Sequence, residues 1–133
     1  MTPDQEATAR SCFEGAENNN LAFPDIVGQL IAAGFERYTV DFARGEQTYY
    51  LPDGDNVRFT SSHEGKEIGM TFDVEAIKAV IREAQQDAPG YTYAGFCRKV
   101  MDAGCTGYLV SFPGKRAVYW GRAGDTHTEH FPQ

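Results

Sequence analysis

Two groups of side chains have the types and spacing for chemistry, and both lie near the end of the chain. The first is His127 with Glu129. On a strand the side-chain period is two, so these two residues and Phe131 share a face. A His–carboxylate pair in a cleft can hold an imidazole tautomer and move a proton. That arrangement would make the chain a small enzyme, with His127 and Glu129 as an acid–base pair in a groove between two halves of the molecule. The alternative is a surface pair on an edge strand, where charge discourages sheet-to-sheet pairing.

The second group is Arg116, Trp120 and Arg122. Alternation places Arg116, Val118, Trp120 and Arg122 on one face, with Lys115 at the adjoining turn. An Arg beside an indole stacks a ring or grips a carboxylate, so the strip suits an acidic peptide or a small planar anion. The alternative is a solvated sheet face whose Arg stems lie along apolar surface. Glu46 occupies the place of Arg116 in an earlier repeat of the same pattern, described below. Those opposite charges imply either internal pairing or an exposed recognition strip.

Other chemistries find less support. His127-x-x-His130 resembles a metal pair, but a strand directs positions 127 and 130 to opposite faces, and zinc needs three or four convergent ligands. No metal and no cofactor are expected. Cys12, Cys97 and Cys105 are an odd number without C-x-x-C spacing, as in reduced thiols of a cytoplasmic protein. Gly65 and Gly69 form no phosphate loop, and Gly121-Arg122-Ala123-Gly124 follows a strand without opening a helix.

The elements that must position these residues come from a repeat. Residues 23–55 return seventy positions later as 93–125, with eight identities in thirty-three places: Ala33/Ala103, Gly34/Gly104, Tyr38/Tyr108, Val40/Val110, Phe42/Phe112, Tyr49/Tyr119, Gly54/Gly124 and Asp55/Asp125. Average residue usage gives roughly two by chance. In each copy an apolar helical face (Phe23, Ile26, Leu30, Ile31; Tyr93, Phe96, Val100, Met101) ends at a glycine suited to a left-handed C-cap. The period then changes to two: Tyr38, Val40, Phe42 in the first copy and Tyr108, Val110, Phe112 in the second. Hairpin signals at 44–45 and 113–115 lead to return strands near 47–51 and 116–121, and third strands run near 57–60 and 126–131. A further helix precedes each copy, opened by Thr2-Pro3-Asp4-Gln5 in the first and by Asp73 in the second, and residues 63–66 make a polar loop between the copies.

The unit is thus helix, helix, β-meander, used twice over about 1–70 and 71–133 of a single domain. The fold class is α+β: an antiparallel sheet of about six strands with four helices on one face, related by a pseudo-twofold. Repetition of Tyr38, Tyr49, Tyr108 and Tyr119 assigns them to the shared core. Their matched places also show the second copy departing from packing needs, with His127 for Val57 and Glu129 for Phe59.

Charge is uneven. Residues 1–70 hold twelve Asp/Glu against five Lys/Arg and residues 71–133 hold seven of each, so the net −7 belongs to the first half. An acidic total argues against nucleic acid as a partner. No basic region leads into an apolar run at the start, and no apolar stretch reaches the roughly 20 residues of a membrane helix, so neither export nor membrane insertion is expected and the chain is placed in the cytoplasm.

Phe23-Pro24-Asp25-Ile26-Val27, Ala33-Gly34, Tyr38-Thr39-Val40-Asp41, Thr48-Tyr49-Tyr50, and Tyr119-Trp120-Gly121-Arg122 with His127-Thr128-Glu129-His130-Phe131 resemble the YbcV/YdfO-like family. These are small bacterial and prophage-borne proteins with a domain of unknown function, some labelled phage envelope protein. The likeness covers nearly the whole chain after the first twenty residues. It implies a bacterial, prophage-type protein and carries over no catalytic motif. The leading expectation is a non-catalytic module that binds a protein or small anionic ligand through its sheet face or the groove between halves.

Overall fold

The computed structural model describes residues 1–61 and 67–131; the polar loop expected at 63–66 lies outside them. Helix α1 (Pro3–Glu17) starts as its capping box dictates. The Gln5 amide N–H donates to Thr2 Oγ1 at 3.1 Å, and the Thr2 N–H donates to Gln5 Oε1 at 2.9 Å. Helix α2 (Phe23–Ala32) has Pro24 in its first turn and no side-chain cap. Three strands follow, β1 (Arg37–Asp41), β2 (Glu46–Tyr50) and β3 (Asn56–Thr60). The second copy repeats this order with α3 (Val74–Gln85), α4 (Tyr93–Asp102), β4 (Cys105–Ser111), β5 (Arg116–Gly121) and β6 (Thr126–His130). Asp73 and Thr92 cap α3 and α4 through their side-chain oxygens.

All six strands form one antiparallel sheet in the order β3-β2-β1-β4-β5-β6. The two meanders therefore join through β1 and β4. Tyr38 pairs with Val110 and Val40 with Tyr108, so the seventy-residue shift maps one pair onto the other. Thr39 pairs with Leu109, its own counterpart, and the pseudo-twofold passes through that pair. The outer pairs obey the same rule: Tyr38 opposes Tyr49 as Tyr108 opposes Tyr119, and Tyr49 opposes Val57 as Tyr119 opposes His127.

One face of the sheet is buried under the helices. Phe13 of α1 stacks on Phe59 of β3 at 5.2 Å, and Phe96 of α4 meets Tyr108 and Tyr119 edge-on. Tyr38, Tyr49, Tyr108 and Tyr119 are all buried in this layer, as the repeat implied. Ile26, Leu30, Val40, Phe96, Val100, Val110 and Phe112 are buried as the periodicity implies, and so are Ile77 and Ile81 of α3. Phe42 is the exception and is half-buried. It lies one residue past β1, as buried Phe112 lies one residue past β4, but it borders a small open space beside Gln47 and Ser61.

That difference predicts unequal costs. Phe112→Ala should lose about 3–5 kcal/mol in denaturant unfolding, and Phe42→Ala about 1–2 kcal/mol, because its ring surrenders less contact. Equal losses would contradict the packing described here.

Candidate functional site

The other face of the sheet has no helix over it among the described residues, and strand register lays its side chains out in three rows. The middle row is Arg58, Thr48, Thr39, Leu109, Val118 and Thr128. One flanking row runs Glu46, Asp41, Gly107, Trp120, Thr126, and the other runs Asn56, Tyr50, Arg37, Ser111, Arg116, His130. Arg116 and Trp120 thus stand on this open face of β5, with Val118 between them. They are four residue steps apart along the strand, which is roughly 13 Å.

Trp120 sits where it does because β4 carries glycine beside it. A Cβ added at Gly107 would lie 2.8 Å from Trp120 Cζ2, so the indole lies flat over backbone. A register shift between Cys105 and Gly107 brings this glycine opposite the indole. The first copy solves the equivalent place differently. There Arg37 replaces Gly107, Tyr50 replaces Trp120, and the Arg37 guanidinium caps the Tyr50 ring at 4.1 Å. Arg37 also pairs with Glu36. The aromatic at each end of the face was legible from alternation. The stacking partner was not, since it lies on a neighbouring strand.

Arg122 is placed differently from the strip's other members. It follows the last residue of β5, and its Nη2 and Nε donate to the carbonyls of Ile68 and Gly69 at 2.6 and 3.3 Å. It therefore clasps the segment before α3. Glu46 and Arg116 stand in opposite flanking rows and do not pair. Glu46 instead accepts from Arg44 and Arg58, and Arg116 Nε donates to the Gly114 carbonyl at 3.1 Å.

His127 and Glu129 do meet, Nε2 to Oε2 at 3.0 Å, on the helix-facing side of β6. The histidine side chain is 13 % exposed and the carboxylate 33 %. Their location corrects one expectation: β6 is an edge strand, two strands from the β1–β4 junction, and the pair does not line a groove between the halves. That junction is filled with aromatic rings. Tyr38 packs edge-on against Tyr108, and the Tyr93 and Tyr108 hydroxyls lie 2.8 Å apart. His130 faces the opposite side beside Arg116. Among the described residues no three His, Cys, Asp or Glu side chains converge to hold a metal ion.

The cysteines are buried thiols. Burial pushes Cys97 up to about 12 and Cys105 up to about 11, so neither is a thiolate at neutral pH. A buried polar chain went unnoticed in the sequence. Tyr49 donates to Gln47 Oε1 at 2.8 Å, and Gln47 Nε2 donates to the Tyr93 hydroxyl at 2.9 Å. Parity alone marks Gln47 as inward, between Tyr49 and the turn; the second copy has Ala117 there. The space beside it amounts to about 10 Å³, lined in part by Ser61 and Cys97. A second cavity, about 660 Å³, is an open groove along the outside of α1, lined by residues such as Glu6, Arg10, Glu14 and Gln29. Neither cavity touches His127, Glu129 or Trp120. No helix among the described residues is long and apolar enough to cross a membrane.

Residues 11–129 match a protein family described as "Protein of unknown function (DUF1398)". No curated protein matches the chain.

Proposed function

The chain belongs to the DUF1398 family of proteins of unknown function, and we propose that it is a non-catalytic binding module taking a protein partner on the open face of its sheet. The observation that supports this most is the uncovered apolar patch of Leu109 and Val118 in the middle row, with Trp120 on one side of it and Arg116 on the other. An open sheet face with a half-buried indole suits another protein's surface better than an enclosed small molecule. Trp and Arg are the residues that most often dominate such contacts. Arg116 favours an acidic segment on the partner, and the first half's net −7 orients its approach. Arg122 contributes at the margin by holding the 68–69 segment in place. The likeness to YbcV/YdfO-like proteins supports a bacterial, prophage-type setting, and the three free thiols support a cytoplasmic location.

A second reading rests on the His127–Glu129 contact, which replaces two apolar residues with a proton-transfer pair on a half-exposed strand. It would make the chain a small enzyme acting at the β6 edge. One experiment separates the two. Partner capture should weaken about tenfold or more when Arg116→Ala and Trp120→Ala are combined, and should weaken with salt, since exposed pairs are screened over roughly 10 Å at 0.1 M. His127→Gln should leave capture unchanged. Capture that survives the double substitution would remove the open face from consideration, and capture lost in His127→Gln would move the site to β6.

A further inference from the structure

Helix α2 carries an apolar stripe that the sheet does not use. Ile26 and Leu30 point into the core, whereas Phe23 and Ile31 are 43 % and 53 % exposed, with half-buried Val27 between them. These three lie at i, i+4 and i+8, so they form one line along the helix. Pro24, Gly28 and Ala32, all exposed, form the next line. Phe131 holds the Phe23 ring in place, edge-on at 5.9 Å.

The equivalent line on α4 is Tyr93, Cys97 and Met101, and there the fold covers it. Cys97 and Met101 are buried, and the Gly69 N–H donates to the Met101 carbonyl at 2.8 Å. The Tyr93 N–H donates to Asn19 Oδ1 at 3.0 Å, from the loop after α1. On α2 the corresponding surface has no such cover among the described residues. A Cβ added at Gly28 meets nothing within 4 Å.

We infer that this stripe is a self-association surface, closed by the α2 of a second copy of the chain. Two features favour a second copy over a different molecule. Asp25 is the only charged residue from 22 to 33, so identical surfaces meet without facing like charges along the stripe. Bulky Phe23 and Ile31 flank the smaller Val27 and Gly28, so an antiparallel pair sets Phe23 of one copy against Ile31 of the other and brings the two Val27 positions together, with Gly28 next to them. That arrangement is the self-complementarity a twofold contact needs. The apolar face is also short, since a ten-residue helix is about 15 Å long. Such a contact falls below the roughly 1,200 Å² of a stable complex, so pairing is reversible and concentration-dependent. The net −7 of each copy opposes it at a distance, so added salt strengthens it. That response is opposite in sign to the one expected at the open sheet face.

Sedimentation equilibrium up to about 1 mM tests this. The weight-average mass should rise from 14.7 kDa toward twice that value with concentration, and rise further when salt is added. Ile31→Glu should stay at the single-chain mass, and so should Phe23→Ser, a second variant in case the first perturbs folding. Trp120→Ala should behave as the unmodified chain. A chain that stays monomeric throughout overturns the inference, as does an Ile31→Glu protein that associates as before. Association lost in Trp120→Ala and kept in both stripe variants overturns it as well, and moves the contact to the sheet face.

Discussion

At pH 11 the protein should be unfolded. Tyr38, Tyr49, Tyr93, Tyr108 and Tyr119 have their hydroxyls inside the core, and burial raises each above the ordinary phenol value of 10.0. Desolvation leads in every case. The mutual repulsion that neighbouring phenolates would have adds to it. In the unfolded chain the same phenols lose their protons near pH 10. The folded state therefore holds more protons than the unfolded one above that pH, and stability falls as pH rises. The contribution is fully present below pH 10 and is lost from there up to the raised folded values. One pH unit above 10, each phenol costs on the order of 1 kcal/mol, and five together cost several kcal/mol. That is comparable with the whole stability of a small domain. The thiols begin the decline earlier, since Cys97 and Cys105 move from 9.0 up to about 12 and about 11. Tyrosinate absorbance at 295 nm should rise together with loss of far-ultraviolet circular dichroism, in one cooperative step. Absorbance that rises near pH 10 while the helices persist would mean that the phenols are solvated and the core is wrongly described.

The density of buried tyrosine follows from the duplication. A single Tyr at the position of Tyr38 or Tyr49 becomes two when the unit is used twice, and the twofold brings all four into one layer. Tyr93 and Gln47 then satisfy hydroxyls that would otherwise be stranded, Tyr108 through Tyr93 and Tyr49 through Gln47. This chain breaks the symmetry, because the counterparts of Tyr93 and Gln47 are Phe23 and Ala117. Polar satisfaction inside one half thus accompanies an exposed Phe23 in the other.

What could be read in the sequence was what repeats or alternates. The seventy-residue shift placed every strand, and parity put His127 with Glu129 on the inner side and Arg116 with Trp120 on the outer. Contacts across long separations could not be read. Nothing local says that β1 pairs with β4, so the sequence leaves His127 open between a groove at the junction of the halves and an edge strand, and the strand order decides for the edge. Arg122 continued the alternation of β5 on paper, yet β5 ends at Gly121 and the guanidinium turns to carbonyls fifty-odd residues away. Phe42 also keeps the alternation, yet it is half-buried where its counterpart Phe112 is buried. Periodicity reports which side of an element a residue takes, and it is silent on where the layer stops.

The two C-cap glycines show how far equivalence in sequence can part from equivalence in packing. Gly34 and Gly104 have φ values of +98° and +94°, so an Ala at either place incurs left-handed strain of about 1–2 kcal/mol. At Gly34 the added methyl meets only the Gln5 side-chain amide at 3.4 Å, within reach of a small shift. At Gly104 it would lie 2.2 Å from the Thr71 carbonyl oxygen and 2.9 Å from Phe72 Cα. That backbone is anchored on both sides, by Gly69 N–H to the Met101 carbonyl and by Asp73 N–H to the Ala103 carbonyl, each at 2.8 Å. Asp73 is also the N-cap of α3. Relief of the clash therefore strains the entry to α3 and the carbonyls that Arg122 holds. We expect Gly34→Ala to cost about 1–2 kcal/mol and Gly104→Ala about 4 kcal/mol or more, the excess being the overpacking penalty. Urea unfolding of the two variants should show a gap of at least about 2 kcal/mol. Equal losses would mean that the segment before α3 does not rest on the end of α4.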